Sequence, residues 1–217
     1  MRTQDVKKKE ALFKATVKLF NEIGFASSSV SKITKEANVS PSKIYVFFQN
    51  KEDLLVSTYM EIKRSLSAAL LEDFDDTLPI RDIIKGAWFS VFNFVSGNLD
   101  DYEYVEQFAN SPYSSLVDRE TLEKEYLPFI NVLQKGIEQK ILKNVDMNIL
   151  SAFLFNPISR LANPRLCHGL DMNAGKNGIS VSQGGEHALQ KNAKKQRRTV
   201  HPGIWLHAPA PYQRTAD

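Results

Sequence analysis

Along most of this chain apolar residues recur at spacings of three and four, the period of helices with one buried face. Val6, Leu12, Phe13, Val17, Leu19 and Phe20 form the first stripe, predicting a helix from about Asp5 to Glu22 with Gly24 as its stop. A short second stripe of Val30, Ile33 and Ala37 starts behind Ser28, a good N-cap residue, and is broken at Asn38-Val39-Ser40. Asn tolerates the left-handed conformation that ends a helix, and Ser40 can cap the next one. Pro41 then stands at a first helical position, where its missing N–H costs nothing. Ile44, Phe47 and Phe48 face inward from this third helix, leaving Ser42, Lys43, Tyr45 and Val46 to point elsewhere. From Lys51 a long helix runs to about Leu71, with Leu54, Leu55, Tyr59, Ile62, Leu66, Ala69 and Leu70 inward. After the acidic loop Leu71–Pro79 come an aromatic-rich helix over Ile80–Val95 and a shorter one over Asp100–Asn110, broken at Ser111-Pro112. Val117–Lys143 reads as helix interrupted at Pro128. No strand-like alternation interrupts this order, so the fold class is all-α: a three-helix head followed by a helical-bundle body.

Ser28 to Leu55 carries the strongest functional signal. Two short helices joined by a tight turn, the first bracing an exposed second, are the geometry with which a helix-turn-helix presents a recognition helix to the DNA major groove. The run Gly24-Phe25, Val30, Ile33, Ala37, Val39-Ser40, Ile44-Tyr45, Phe47-Phe48 and Lys51-Glu52-Asp53-Leu54 resembles the TetR family of bacterial transcriptional regulators, whose pattern is I-A-x-x-A-G-V-S-x-G-x-L-Y-x-[HY]-F-x-x-K-x-x-L. Three positions depart from it: Thr34 for the usual Ala, Asn38 for the turn Gly, and Ser42 for the small Gly of the recognition helix. Ser42 adds a hydroxyl where the DNA surface would lie. The resemblance spans about residues 5–165. It implies a head at residues 1–50, a ligand-binding and dimerisation body at 51–168, and a long fourth helix that moves the recognition helix when it swings. The stretch Gly136–Phe155 is similar to the passage of such bodies into their first dimerisation helix.

Charge agrees with that division. Residues 1–57 hold ten Lys/Arg against six Asp/Glu, residues 58–146 nine against sixteen, and residues 147–217 nine against three. A basic head on an acidic body fits a module that meets phosphates beside one that does not. A head at +4 binds DNA weakly alone, so useful affinity calls for two heads. No apolar run approaches the roughly 20 residues of a membrane span, no secretory signal leads the chain, and the lone Cys167 fits a reducing cytoplasm. From about Gly169 the stripe is lost among Gly pairs, prolines and the basic cluster Lys194-Lys195-Gln196-Arg197-Arg198. Residues 169–217 are expected to be a disordered basic arm that adds sequence-independent DNA affinity, or a non-native, frameshift-like extension.

The candidate DNA contacts follow. Ser29, Ser40 and Lys51 stand at helix starts, where hydroxyl, ammonium and free N–H groups can meet phosphates; either serine can instead be a cap and nothing more. Lys7, Lys8 and Lys9 are placed for an N-terminal arm on DNA or for a solvated first turn. Pro41, Ser42, Lys43 and Val46 are candidate base readers, with Lys43 suited to guanine O6/N7 and Val46 to a thymine methyl. By resemblance Tyr45 meets backbone or bases. Phe47 and Phe48 belong to the core. In the body, Trp88, Phe89, Phe92, Tyr102, Phe108, Tyr126 and Phe129 are material for an apolar ligand cavity or for an ordinary bundle core. Glu103 and Glu106 beside them can favour a cationic ligand or occupy a solvated face.

Enzyme chemistry finds no footing: the four histidines fall in or beside the tail, and there is no phosphate loop, metal-ligand spacing, nucleophile motif or cofactor signature. The reading is therefore a cytoplasmic, homodimeric regulator, a repressor of a palindromic double-stranded operator, responsive to a small-molecule effector. The alternative is an adaptor of the same fold, or a dimerisation-impaired regulator, without specific DNA binding.

Overall fold

The computed structural model describes residues 3–163, 170–171 and 180–181. The chain divides into two units, Met1–Cys167 and His168–Asp217. Among the described residues of the first unit the elements are all helical: α1 Thr3–Ser27, α2 Val30–Glu36, α3 Pro41–Phe47, α4 Lys51–Leu71, α5 Ile80–Gly97, α6 Leu99–Ala109, a 3₁₀ turn at Pro112–Leu116, α7 Arg119–Glu138 and α8 Met147–Ala162. In the second, β1 Leu170–Asp171 pairs antiparallel with β2 Ser180–Val181. The basic cluster at 194–198, Cys167 and the four histidines lie outside the described residues.

Helix boundaries follow local chemistry. Gly24 breaks α1 at φ 72°, ψ 177°, a conformation open to glycine and strained for residues with a Cβ, and the chain resumes one further helical turn to Ser27. Asn38, at φ 53°, makes the left-handed turn between α2 and α3. Two capping expectations are corrected. The N-cap of α2 is Ser29, whose Oγ accepts from the Lys32 N–H at 3.3 Å; Ser28 is buried and donates to the Phe25 carbonyl instead. Ser40 occupies the N-cap position of α3 but its side chain makes no capping bond; its hydroxyl lies 3.4 Å from that of Ser42. α4 begins on a reciprocal cap: Asn50 Oδ1 accepts from Asp53 N–H at 2.7 Å, and the Asp53 carboxylate accepts from Gln49 N–H at 2.8 Å.

The expected helix Val117–Lys143 is also corrected. It starts at Arg119, carries Pro128 internally, and stops at Glu138 in a Schellman turn. Ile141 N–H donates to Gly136 O, Lys140 N–H donates to Ile137 O, and Lys140 takes φ 60°. Ile141 is consequently exposed in the loop rather than inward on a helix.

Two buried clusters organise the first unit. The head core joins Leu12 and Ala15 of α1, Ile33 and Val39, Ile44 and Phe48, and Leu54 of α4. A second cluster joins Val17 and Phe20 of α1, Leu55 and Ile62 of α4, and Tyr104, Val105 and Phe108 of α6. α1 and α4 thus belong to both. Polar bonds reinforce that junction: Tyr104 Oη donates to Leu55 O at 2.9 Å in the buried interior, and Asn21 Nδ2 donates to Asp100 O at 2.8 Å.

Candidate nucleic-acid interface and body cavity

The recognition surface is built by a division of labour within the seven residues of α3. Ile44, 1 % exposed, anchors it to the head core with Phe48 just beyond its end, and Phe47 packs partly buried against the same cluster. Phe48 meets the Phe13 ring of α1 at 5.7 Å between centroids. With that side fixed, the period of the helix turns Pro41, Ser42, Tyr45 and Val46 outward, with Lys43 half-buried at the edge. Tyr45 and Val46 are 64 % and 66 % exposed, adjacent apolar side chains that core packing does not use. Ser29 and Ser40 are exposed on the same head, at the starts of α2 and α3.

Of the departures from the family pattern, Thr34 is absorbed internally: it is 1 % exposed and its hydroxyl donates to Ser31 O at 3.1 Å. Ser42 lies on the exposed side, beside Ser40.

Lys51 has a structural task that the sequence did not show. Its Nζ donates to Ser28 O at 2.6 Å and Phe25 O at 3.1 Å. Lys32 Nζ donates to Ser27 O at 2.9 Å. Two ammonium groups therefore satisfy carbonyls at the C-terminal end of α1, where helix carbonyls lack partners and the helix dipole favours positive charge. An ammonium has three N–H donors, and these bonds use two of those on Lys51. Lys9 is likewise occupied, with its Nζ 5.4 Å from the Phe13 ring centroid and 6.0 Å from that of Phe48.

In the body, a cavity of about 450 Å³ lies among α4, α5, α6, α7 and α8. Of the aromatic candidates, Tyr102, Tyr126 and Phe129 line it. The others are corrected by position. Trp88 stacks on Phe92 at 5.6 Å and meets Phe89 edge-on, all three on α5 and off the cavity lining. Phe108 stacks on Tyr59 at 4.6 Å within the head–body cluster and is fully buried there. Leu66, Leu70, Val91 and Leu133 are among the remaining apolar lining residues, with Val105, Leu122, Ile130, Ala152 and Phe155, and Asn148, Ser151 and Asn156 of α8 make a polar wall.

Three charged lining residues were missed: Lys63, Arg119 and Glu123. The signal for Lys63 was present, since it falls between Tyr59 and Leu66 on the inward stripe of α4, where a charge is unexpected. Tyr126 Oη donates to Lys63 O at 2.8 Å, and the Lys63 ammonium stands 5.0 Å from the Tyr126 ring centroid. Burial lowers the Lys63 pKa and raises those of Tyr102 and Tyr126, so both phenols are neutral at ordinary pH. Glu103 and Glu106 are exposed and do not line the cavity.

Among the described residues no cluster of three or more His, Cys, Asp or Glu is placed to hold a metal ion, and no helix is long and apolar enough to cross a membrane.

Comparison with known proteins places this architecture. Residues 9–58 match the family described as bacterial regulatory proteins, tetR family, and residues 79–176 match a tetracyclin repressor-like C-terminal domain. An HTH-type transcriptional regulator of Haemophilus influenzae is 31 % identical over 103 residues, covering 48 % of this chain and 55 % of that protein. The chain thus spans about half the length of that relative. A TetR family transcription regulator from Marinobacter aquaeolei superposes with a TM-score of 0.72 at 27 % identity, covering 79 % of this chain and 91 % of that one. The Bacillus subtilis regulator FadR, solved in complex with stearoyl-CoA, superposes with a TM-score of 0.59 at 23 % identity over 70 % of this chain and 84 % of its own. Head, body and exposed recognition helix together identify the chain as a member of the TetR family of helix-turn-helix transcriptional regulators.

Proposed function

We propose that this regulator is a cytoplasmic, ligand-responsive repressor that binds a palindromic operator as a homodimer. The observation that carries the reading is the outward pair Tyr45 and Val46 on a helix whose opposite side is locked into the head core. In this reading Tyr45, Val46, Ser42 and Lys43 meet bases or backbone in the major groove. Pro41 joins these candidate base readers, while Ser29, Ser40 and the third N–H of Lys51 set the helix against phosphates.

Dimerisation is assigned to α8, which presents Phe153 at 79 % and Ile149 at 50 % exposure one turn apart. Two large apolar residues on one helical stripe favour burial against a second copy.

The effector acts from the body cavity. α4 and α6 each line it and each enter the cluster shared with α1. A ligand that displaces Tyr102 or Val105 therefore presses on the same helix that holds Phe20 and Asn21. Because α1 is common to both cores, the head reorients with it, and the ligand shifts the population toward a head-to-head spacing that misfits the operator.

The test is selection from random double-stranded DNA with the full-length protein, followed by affinity measurement on the enriched site. Enrichment of one palindrome, with Tyr45→Ala weakening it at least about tenfold at unchanged thermal stability, supports the reading. Failure to enrich any sequence refutes it and leaves the adaptor.

A further inference from the structure

Lys63 is used neither by the recognition surface nor by core packing. It is half-buried, and among the described residues no carboxylate comes within 4.0 Å of its ammonium. Its neighbour is the Tyr126 ring, 5.0 Å away. A cation over a phenol ring recovers part of the hydration that burial removes, but less than an anion would. Arg119, at the first position of α7, lines the same cavity, and Glu123 is the one carboxylate among its lining side chains. Two cations against one anion leave the wall net positive, while Leu66, Leu70, Phe129 and Leu133 supply an apolar side of the cavity beside the polar Asn148, Ser151 and Asn156 of α8.

Its size falls within the roughly 300–1,000 Å³ usual for small-molecule sites. Tyrosine faces can also cage a quaternary ammonium, but here Lys63 already stands over the Tyr126 face, and a second cation would meet like charge. Charge and shape therefore select an anion with an aliphatic body over a cation or an uncharged apolar molecule.

We propose that the body cavity binds an anionic amphiphile, its aliphatic part against Leu66, Leu70, Phe129 and Leu133 and its carboxylate or phosphate head paired with the Lys63 ammonium on the wall that also carries Arg119. This deepens the effector reading above and rests on it for its regulatory meaning.

The experiment titrates the full-length protein calorimetrically with decanoate, decyl phosphate, decanol and decyltrimethylammonium, each below its micellar concentration. Operator affinity is measured in parallel with each probe present. At least one anion is expected to bind about tenfold or more tighter than decanol, with the ammonium weaker still. Comparison of decanoate with decyl phosphate identifies the head group. Lys63→Met keeps the stem and removes the charge, so it should bring the anion down to the affinity of decanol; Lys63→Arg should restore the preference.

The inference is overturned if decanol or the ammonium matches the anions, if the preference survives Lys63→Met, or if none of the four binds. Those results together with intact operator binding would leave the regulator reading standing. Anion binding that leaves operator affinity unchanged would support this ligand class and count against the cavity as an effector site.

Discussion

The sharpest prediction concerns Lys51, because the structure gives it a task different from the one its position implies. Removing its ammonium by Lys51→Met takes away the donor to Ser28 O at 2.6 Å and to Phe25 O at 3.1 Å. A hydrogen bond from a charged donor contributes about 1.5–3 kcal/mol net where water is excluded. Both bonds are part-buried, so water can replace some of each, and about 2 kcal/mol for the pair is the expected loss. In a chain of this length that corresponds to a Tm lowered by roughly 4–8 °C. Thermal and urea denaturation of wild type, Lys51→Met and Lys51→Arg measure it, with the Arg variant recovering part of the loss. Operator affinity as a function of salt is measured alongside. A Tm within about 1 °C of wild type for Lys51→Met, with the salt slope reduced by about 0.9, would refute the clamp and make Lys51 a phosphate contact alone.

Three other outcomes follow from the same structure. Lys140→Gly relieves a left-handed conformation at φ 60° in the turn after α7 and should stabilise by about 0.5–1 kcal/mol, read as a shift in urea midpoint at unchanged m-value. Lys63 has a folded-state pKa below its ordinary value, so the unfolded chain binds the extra proton. Its destabilising contribution is complete below the folded pKa and is relieved as pH rises from there toward about 10.4. The facing phenols of Tyr102 and Tyr126 have raised pKa values, and Arg119 and Glu123 stand on the same wall, so the Tm advantage of Lys63→Met over wild type should shrink between pH 7 and pH 10. Phe153→Glu places a charge on the most exposed large apolar residue of α8 and should convert a dimer to monomer by sedimentation without lowering helicity; a dimer of unchanged Kd would exclude α8 from the interface.

The elements most legible in the sequence were those whose signal is local. The long helix over Lys51–Leu71 was readable because its apolar stripe runs over about five turns with Lys63 as its one charged interruption; the Asn50 cap that starts it was seen in the structure. The turn at Asn38 and the helix start at Pro41 were readable because left-handed geometry and a missing N–H are properties of single residues. The inward and outward sides of α3 followed from the period alone, which is why Ile44 proved buried and Tyr45 exposed. Where two adjacent serines competed for one cap, the stripe could not choose. Ser29 won because burial turned Ser28 toward the Phe25 carbonyl, a contact that exists once α1 kinks at Gly24.

Tertiary structure decided what depends on distance between elements. Aromatic residues on α5, α6 and α7 look alike along the chain, and the packing of five helices separates Tyr102, Tyr126 and Phe129, which line the cavity, from Trp88, Phe89, Phe92 and Phe108, which pack elsewhere. The same holds for cations: Lys51 reaches carbonyls 23 and 26 residues away, while Lys63 meets a ring 63 residues away and no carboxylate among the described residues. Sequence period fixes which face of a helix is buried, because hydrophobic burial is a property of the stripe. Which partner a charged group finds, and whether a gap remains between apolar walls, depends on how whole helices pack, and that is set by their joint shape rather than by any one of them.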